Sequence, residues 1–192
     1  LIESLRDLGL LDTALWTNLD RSPVPAHTNF YGERCDRPAE IKLLPPHYEV
    51  PMFRQHVTQE LTGNFVKNQL FGNIWGEIYL NADPYIDTYF SLVAETVFEY
   101  PYSLRSEKIY KPIAIGHPFV AAANRGFYRD LHNAGFKTFA HLIDESFDQI
   151  DNGIDRLDRI VSIVKDLCAQ DLAAFVVAAQ DICVYNQQIM QE

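Results

Sequence analysis

Residues 89–122, YFSLVAETVFEYPYSLRSEKIYKPIAIGHPFVAA, decide how this chain folds. The first seven, YFSLVAE, form an apolar run of strand length, and PFVAAA at 118–123 forms a second. Continuous rather than alternating apolarity marks a strand covered on both faces. Between them lie a polar turn region, EYPYSLRS, and a helix that opens near Ser106. Parallel neighbours need a long crossover, so strand, helix, strand predicts a parallel sheet.

Working outward, GFYRDLHN at 126–133 reads as a helix that stops at Ala134 and Gly135, and FKTF at 136–139 as a third short strand. Two closing helices follow, over 155–165 and 172–190, from apolar residues at helical spacing (Leu157, Ile160, Val161 and Val164, then Phe175, Ala178, Ala179 and Ile182). Upstream, Leu1, Leu5, Leu8 and Leu11 share a helical face that ends near Gly9, and a strand is expected over 14–17. Residues 20–51 hold six of the ten prolines, which predicts little regular structure there. Residues 52–80 suggest helical pieces carrying Phe53, Val57, Leu61, Phe65 and Leu70, broken near Gly63 and Gly72. The expected fold is a single α/β domain over 1–192, three-layered with a mostly parallel sheet and C-terminal closing helices.

Composition narrows the function. With 192 residues, 47% of them hydrophobic, one substantial core is expected. The 26 acidic and 16 basic residues give a net charge of -10, which argues against nucleic acid and anionic membranes as partners. Cys35, Cys168 and Cys183 form neither a CxxC pair nor a disulfide framework, which suits a reducing compartment. No apolar run reaches the roughly 18 residues of a spanning helix, and no leader pattern opens the chain, so a cytoplasmic location is expected. The chain starts at Leu1 inside an apolar-periodic segment, as a piece of a longer polypeptide would.

Within this acidic chain Arg105, Lys108 and Lys111 fall together where a strand's trailing loop enters a helix. Free N–H groups and partial positive charge at such a terminus suit a phosphate. Ser106 is the expected N-cap. Lys108 and Lys111 are three apart and share a face, placing two ammonium groups against a diphosphate. Glu107 and Glu95 are acceptors suited to the paired hydroxyls of a sugar or ribose. Tyr100 or Tyr102 is placed to stack on a base, and Asn124, Arg125 and Gly126 repeat the theme at the next strand exit. Each feature also has an ordinary reading: Glu107 and Lys111 as a surface i to i+4 ion pair, Arg125 and Arg129 as a solvated face, His117 as a turn histidine, Asp144 and Glu145 as loop acids.

SEKIYKPIAIGHPFVAA resembles the donor-site signature of GT-B-type glycosyltransferases: an acid opening a helix, then Ala-x-Gly-x-Pro (Ala114, Gly116, Pro118) leading into a strand. It is most similar to the fucosyltransferase pattern of Phe-Glu-Asn, then Thr-Glu-Lys, then a basic residue three positions on. Here AET ends at Thr96, SEK spans 106–108, and Lys111 follows. Segments of this kind also occur in sugar-transferase-like proteins of phages and bacteria. The resemblance covers residues 89–140 and implies the Rossmann-like half of a GT-B fold, a nucleotide-diphosphate sugar as substrate with no further cofactor, an unidentified acceptor, and a second lobe or subunit. It implies that Glu107 contacts the donor's sugar or ribose and Lys108 its diphosphate. Three departures matter. No second glutamate lies about seven residues after Glu107, which favours inversion; Leu104 stands where the pattern has tyrosine, with Tyr102 nearby; and Pro112 interrupts the helix. No Asp-x-Asp triplet occurs, so a metal-independent enzyme without a metal site is expected. The alternative is a degenerate, non-catalytic lobe or a protein-interaction module.

Overall fold

The computed structural model describes residues 1–20, 27–28, 34–35, 37–42 and 83–190, with side chains for 1–16 and 84–190. In order these form α1 (Ile2–Asp7), β1 (Trp16–Asp20), β2 (His27–Thr28), β3 (Arg34–Cys35), β4 (Arg37–Lys42), α2 (Asp83–Ile86), β5 (Ser91–Ala94), α3 (Glu107–Ile115), β6 (Phe119–Ala122), α4 (Phe127–Asn133), a 3-10 turn (Ser146–Gln149), α5 (Gly153–Cys168) and α6 (Leu172–Ile189). The expected helical pieces of 52–80 lie outside the described residues.

β5 and β6 pair in parallel, with Ser91 opposite Phe119 and Ala94 opposite Ala122, and α3 is the crossover between them. All four β6 residues are buried, which is why Phe-Val-Ala-Ala shows no alternation. The core around them takes in Ile109 and Ile113 from α3, Phe127 and Leu131 from α4, Ile160 and Val164 from α5, and Phe175 and Ala179 from α6. Leu5 and Leu11 join it from the N-terminal segment.

Pro112 has no N–H to give the Lys108 carbonyl, yet α3 continues through it to Ile115, nine residues in all. It closes at Gly116, whose φ of 71° is left-handed; Gly116 N–H and His117 N–H donate to the carbonyls of Ile113 and Pro112 at 3.1 and 2.8 Å. A Cβ at Gly116 would also stand 2.7 Å from the Gln187 side chain. That glutamine ties α6 to α3 by donating to the Ala114 carbonyl at 3.1 Å.

Three expectations change. The mixed α/β class holds, but among the described residues the sheets are three pairs, of which only β5–β6 is parallel; β1–β4 and β2–β3 are antiparallel. Strands also enter the proline-rich segment, since Pro38 lies in β4 opposite Leu19, beside a register shift between Asn18 and Leu19. A bulge accepts a residue without an N–H donor. Finally, 136–139 forms no strand. The Asn186 carboxamide on α6 takes the Lys137 N–H at 2.8 Å and donates to the Lys137 carbonyl at 2.9 Å. One side chain thus does for this segment what a neighbouring strand would.

His117 lies in the connection between α3 and β6, where a turn histidine was expected, and that connection is packed into the core. His117 is 1% exposed, and its Nδ1 lies 3.1 Å from Ser91 Oγ while Nε2 lies 3.0 Å from the Thr88 carbonyl. It pins the strand entries together, at the edge opposite the candidate site.

Candidate functional site

The parallel register brings the exits of β5 and β6 side by side. Glu95 N–H still donates to the Ala122 carbonyl at 3.0 Å, so Glu95 and Thr96 leave the sheet next to Ala123 and Asn124. Ligands of parallel α/β units gather beyond this edge.

Ser106 is the N-cap of α3, its Oγ accepting from Lys108 N–H at 3.3 Å. The same hydroxyl donates to Glu95 Oε2 at 2.6 Å, and Ser106 N–H donates to Glu95 Oε1 at 3.2 Å. Glu95 also accepts from Thr96 N–H at 3.3 Å. This corrects the expectation that Glu95 offers its oxygens to ligand hydroxyls. At 7% exposure it has been removed from water, and a buried carboxylate is tolerable only when donors surround it. It latches the start of α3 to the end of β5. Ser106→Ala removes both the cap and the shortest bond of this latch; a loss of about 1–2 kcal/mol is expected, read from urea unfolding midpoints.

Lys108 turns back across the strand-to-helix gap. Its Nζ donates to Thr96 Oγ1 at 2.6 Å and lies 3.9 Å from Glu107 Oε1, with both side chains partly solvent-accessible. Lys111, one turn further on, is part-buried. Thr96, Ser106, Glu107 and Lys108 are thus gathered at one place. Asn124 is close in the fold but not offered to solvent: it is 2% exposed, donates to the Arg125 carbonyl at 2.9 Å, and keeps a buried Oδ1 with no hydrogen-bond partner.

Tyr102 and Arg105 fall elsewhere. They line a cleft of about 440 Å³ along α4, and Arg105 donates to the Asp130 carbonyl at 2.9 Å. A larger cleft of about 810 Å³ adjoins it, between Phe98, Tyr100, Arg125 and the start of α5. Both are lined by Pro101, Arg125 and Arg129, so they form one groove, which Ser106, Glu107 and Lys108 do not line. Arg125 pairs with Asp151 in it. Gly126 adopts a φ of 78°, and a Cβ there would stand 2.6 Å from the Arg129 guanidinium, so glycine is needed for the turn into α4.

Two residues that organise this edge escape the sequence reading. Asp148, 4% exposed, caps α4 by accepting from Tyr128 and Arg129 N–H at 3.0 and 3.3 Å. Arg156, 2% exposed, donates to the carbonyls of Ala123, Phe98, Ile150 and Asp151 and stacks its guanidinium 4.4 Å over the Phe98 ring. Its signal was present: Arg156 shares the apolar stripe of α5 with Ile160 and Val164 at four-residue spacing. Of the loop acids, Asp144 pairs with Arg159, while Glu145 Oε2 accepts from Thr138 Oγ1 at 2.7 Å, and burial pushes the Glu145 carboxyl up to about 7.

Among the described residues no cluster of His, Cys, Asp and Glu is placed to hold a metal ion, and no helix is long and apolar enough to cross a membrane. No family model, curated protein or solved structure matches this chain.

Proposed function

We propose that this chain binds a nucleoside-diphosphate sugar beyond the exits of β5 and β6, as the Rossmann-like donor lobe of an inverting, metal-independent glycosyltransferase in the cytoplasm. The observation that carries this reading is the Lys108 Nζ to Thr96 Oγ1 contact of 2.6 Å, which sets a cation over the strand exit with the Glu107 carboxylate beside it. Residues twelve apart in sequence meet there because α3 is latched to β5 through Ser106 and Glu95.

In the reaction, the acceptor oxygen attacks the anomeric carbon, the bond from that carbon to the β-phosphate oxygen breaks, and a base takes the acceptor proton. The leaving diphosphate gains negative charge, which the Lys108 ammonium offsets. Glu107 accepts from the donor's hydroxyls. The base belongs to a second lobe or subunit.

Calorimetric titration with GDP, UDP and their sugars tests this. Saturable binding is expected, and Lys108→Ala should weaken it roughly 10- to 100-fold, the worth of one charge-assisted hydrogen bond. Absence of binding by every nucleoside diphosphate would overturn the transferase reading and favour a non-catalytic module.

A further inference from the structure

The geometry points to a second ligand site, separate from Lys108: the groove lined by Arg105, Arg125 and Arg129 binds an acidic oligosaccharide, the class of acceptor this chain would glycosylate. The acceptor role rests on the donor-lobe reading above, whereas the binding is measured without any nucleotide.

The charge is unevenly placed. Between residues 83 and 190 the chain has nine Lys and Arg residues, and four of them, Arg105, Arg125, Arg129 and Arg156, line these two adjoining clefts in a molecule of net charge -10. Arg156 is fully engaged by backbone carbonyls. The side chains of Arg125 and Arg129 are 51% and 63% exposed, and among the described residues their ion-pair partners are the exposed Asp151 and the partly exposed Asp130. A guanidinium fork matches a carboxylate, and a pair exposed to water exchanges partners at little cost.

Two further features select a saccharide over other polyanions. Tyr100 and Tyr102 are 57% and 71% exposed, with ring centroids 5.9 Å apart, one in each cleft, so the groove floor offers amphipathic rings to the faces of sugar units. The arginines are also interleaved with Glu99, Asp130 and Asp151. Of these, Glu99 and Asp130 are placed to accept hydrogen bonds from hydroxyls, and all three repel a continuous run of phosphates, which sets sugars apart from nucleic acid.

The test is calorimetry with tetragalacturonate, its fully methyl-esterified form, and citrate. Wild-type protein should bind the tetragalacturonate and neither the ester nor citrate measurably. Arg125→Ala/Arg129→Ala should weaken binding roughly 30-fold, while Lys108→Ala leaves it unchanged. Asp151→Asn removes the carboxylate that competes for Arg125 and should tighten binding by on the order of 5-fold, which damage to the fold would not do. The proposal is overturned by absence of binding, by equal binding of the ester or of citrate, by full affinity in the double variant, or by no gain in Asp151→Asn. Nucleoside diphosphate titrations of the same proteins report separately on the donor site.

Discussion

Arg156→Met should lower stability by about 4 kcal/mol. Methionine fills similar space and keeps contact with the Phe98 ring, so cavity formation contributes little. What disappears is the donor set. The carbonyls of Ala123 and Phe98, at the exits of β6 and β5, and those of Ile150 and Asp151, before α5, lose the guanidinium that serves all four. A buried carbonyl left without a donor costs about 1–3 kcal/mol, and partial relaxation brings the sum below the simple total. A urea midpoint shifted at unchanged slope, with Arg156→Lys falling between the two, is the expected result; an unmoved midpoint in Arg156→Met would show that the bracket contributes nothing. The same variant should loosen the groove wall at Phe98, because that carbonyl is held from α5.

How much of this was legible in the sequence depended on how far each residue's partner lies along the chain. The unit from β5 through α3 to β6 was readable because its signals are local: two continuous apolar runs and a serine at the helix start. The 136–139 segment failed because FKTF carries strand-like apolar spacing while its hydrogen-bond partner, Asn186, lies 49 residues further on. β4 was hidden by Pro38, which discourages a strand unless a bulge is available, and the bulge, where Ala39 has no partner, shows only once β4 is paired with β1. The candidate site divided the same way. Ser106 followed from capping chemistry alone. For Glu95 the residue type allowed either a ligand contact or a latch, and only the placement of Ser106 at 2.6 Å decided for the latch. The arginine groove was partly visible, as Arg105 and as Arg125 with Arg129. That the two pieces line one groove depends on α4 packing beside the 98–105 loop, which no local pattern encodes.

Stability should be nearly flat between about pH 4.5 and 6.5 in the wild-type chain and steep, in opposite directions, in two variants. Burial lowers the His117 imidazole from 6.5 to about 4, against weaker support for its proton from the Thr88 carbonyl; the Tyr85 ring stands edge-on to it. The unfolded chain therefore binds a proton there that the folded chain refuses, so this contribution is complete above 6.5 and is lost as pH falls toward 4. Glu145 behaves in the reverse sense. Burial raises it from 4.5 to about 7, with Asp148 and Asp144 adding repulsion and Thr138 opposing the rise. Here the folded chain holds the extra proton, so its contribution is complete below 4.5 and is lost as pH rises through 7. Each shift corresponds to about 3 kcal/mol across its window, and over their shared range the two slopes oppose each other. Glu145→Gln removes one slope and leaves a protein that loses stability on acidification through the histidine window. His117→Asn removes the other and, beyond a uniform packing cost, leaves a protein that loses stability as pH rises toward 7. Thermal midpoints of the three proteins from pH 4 to 8 check this, and parallel profiles would show that neither buried group carries the linkage. Because His117 bonds to Ser91 and the Thr88 carbonyl while Glu145 bonds to Thr138, the two groups have no hydrogen-bond partner in common, and the two variants should combine additively.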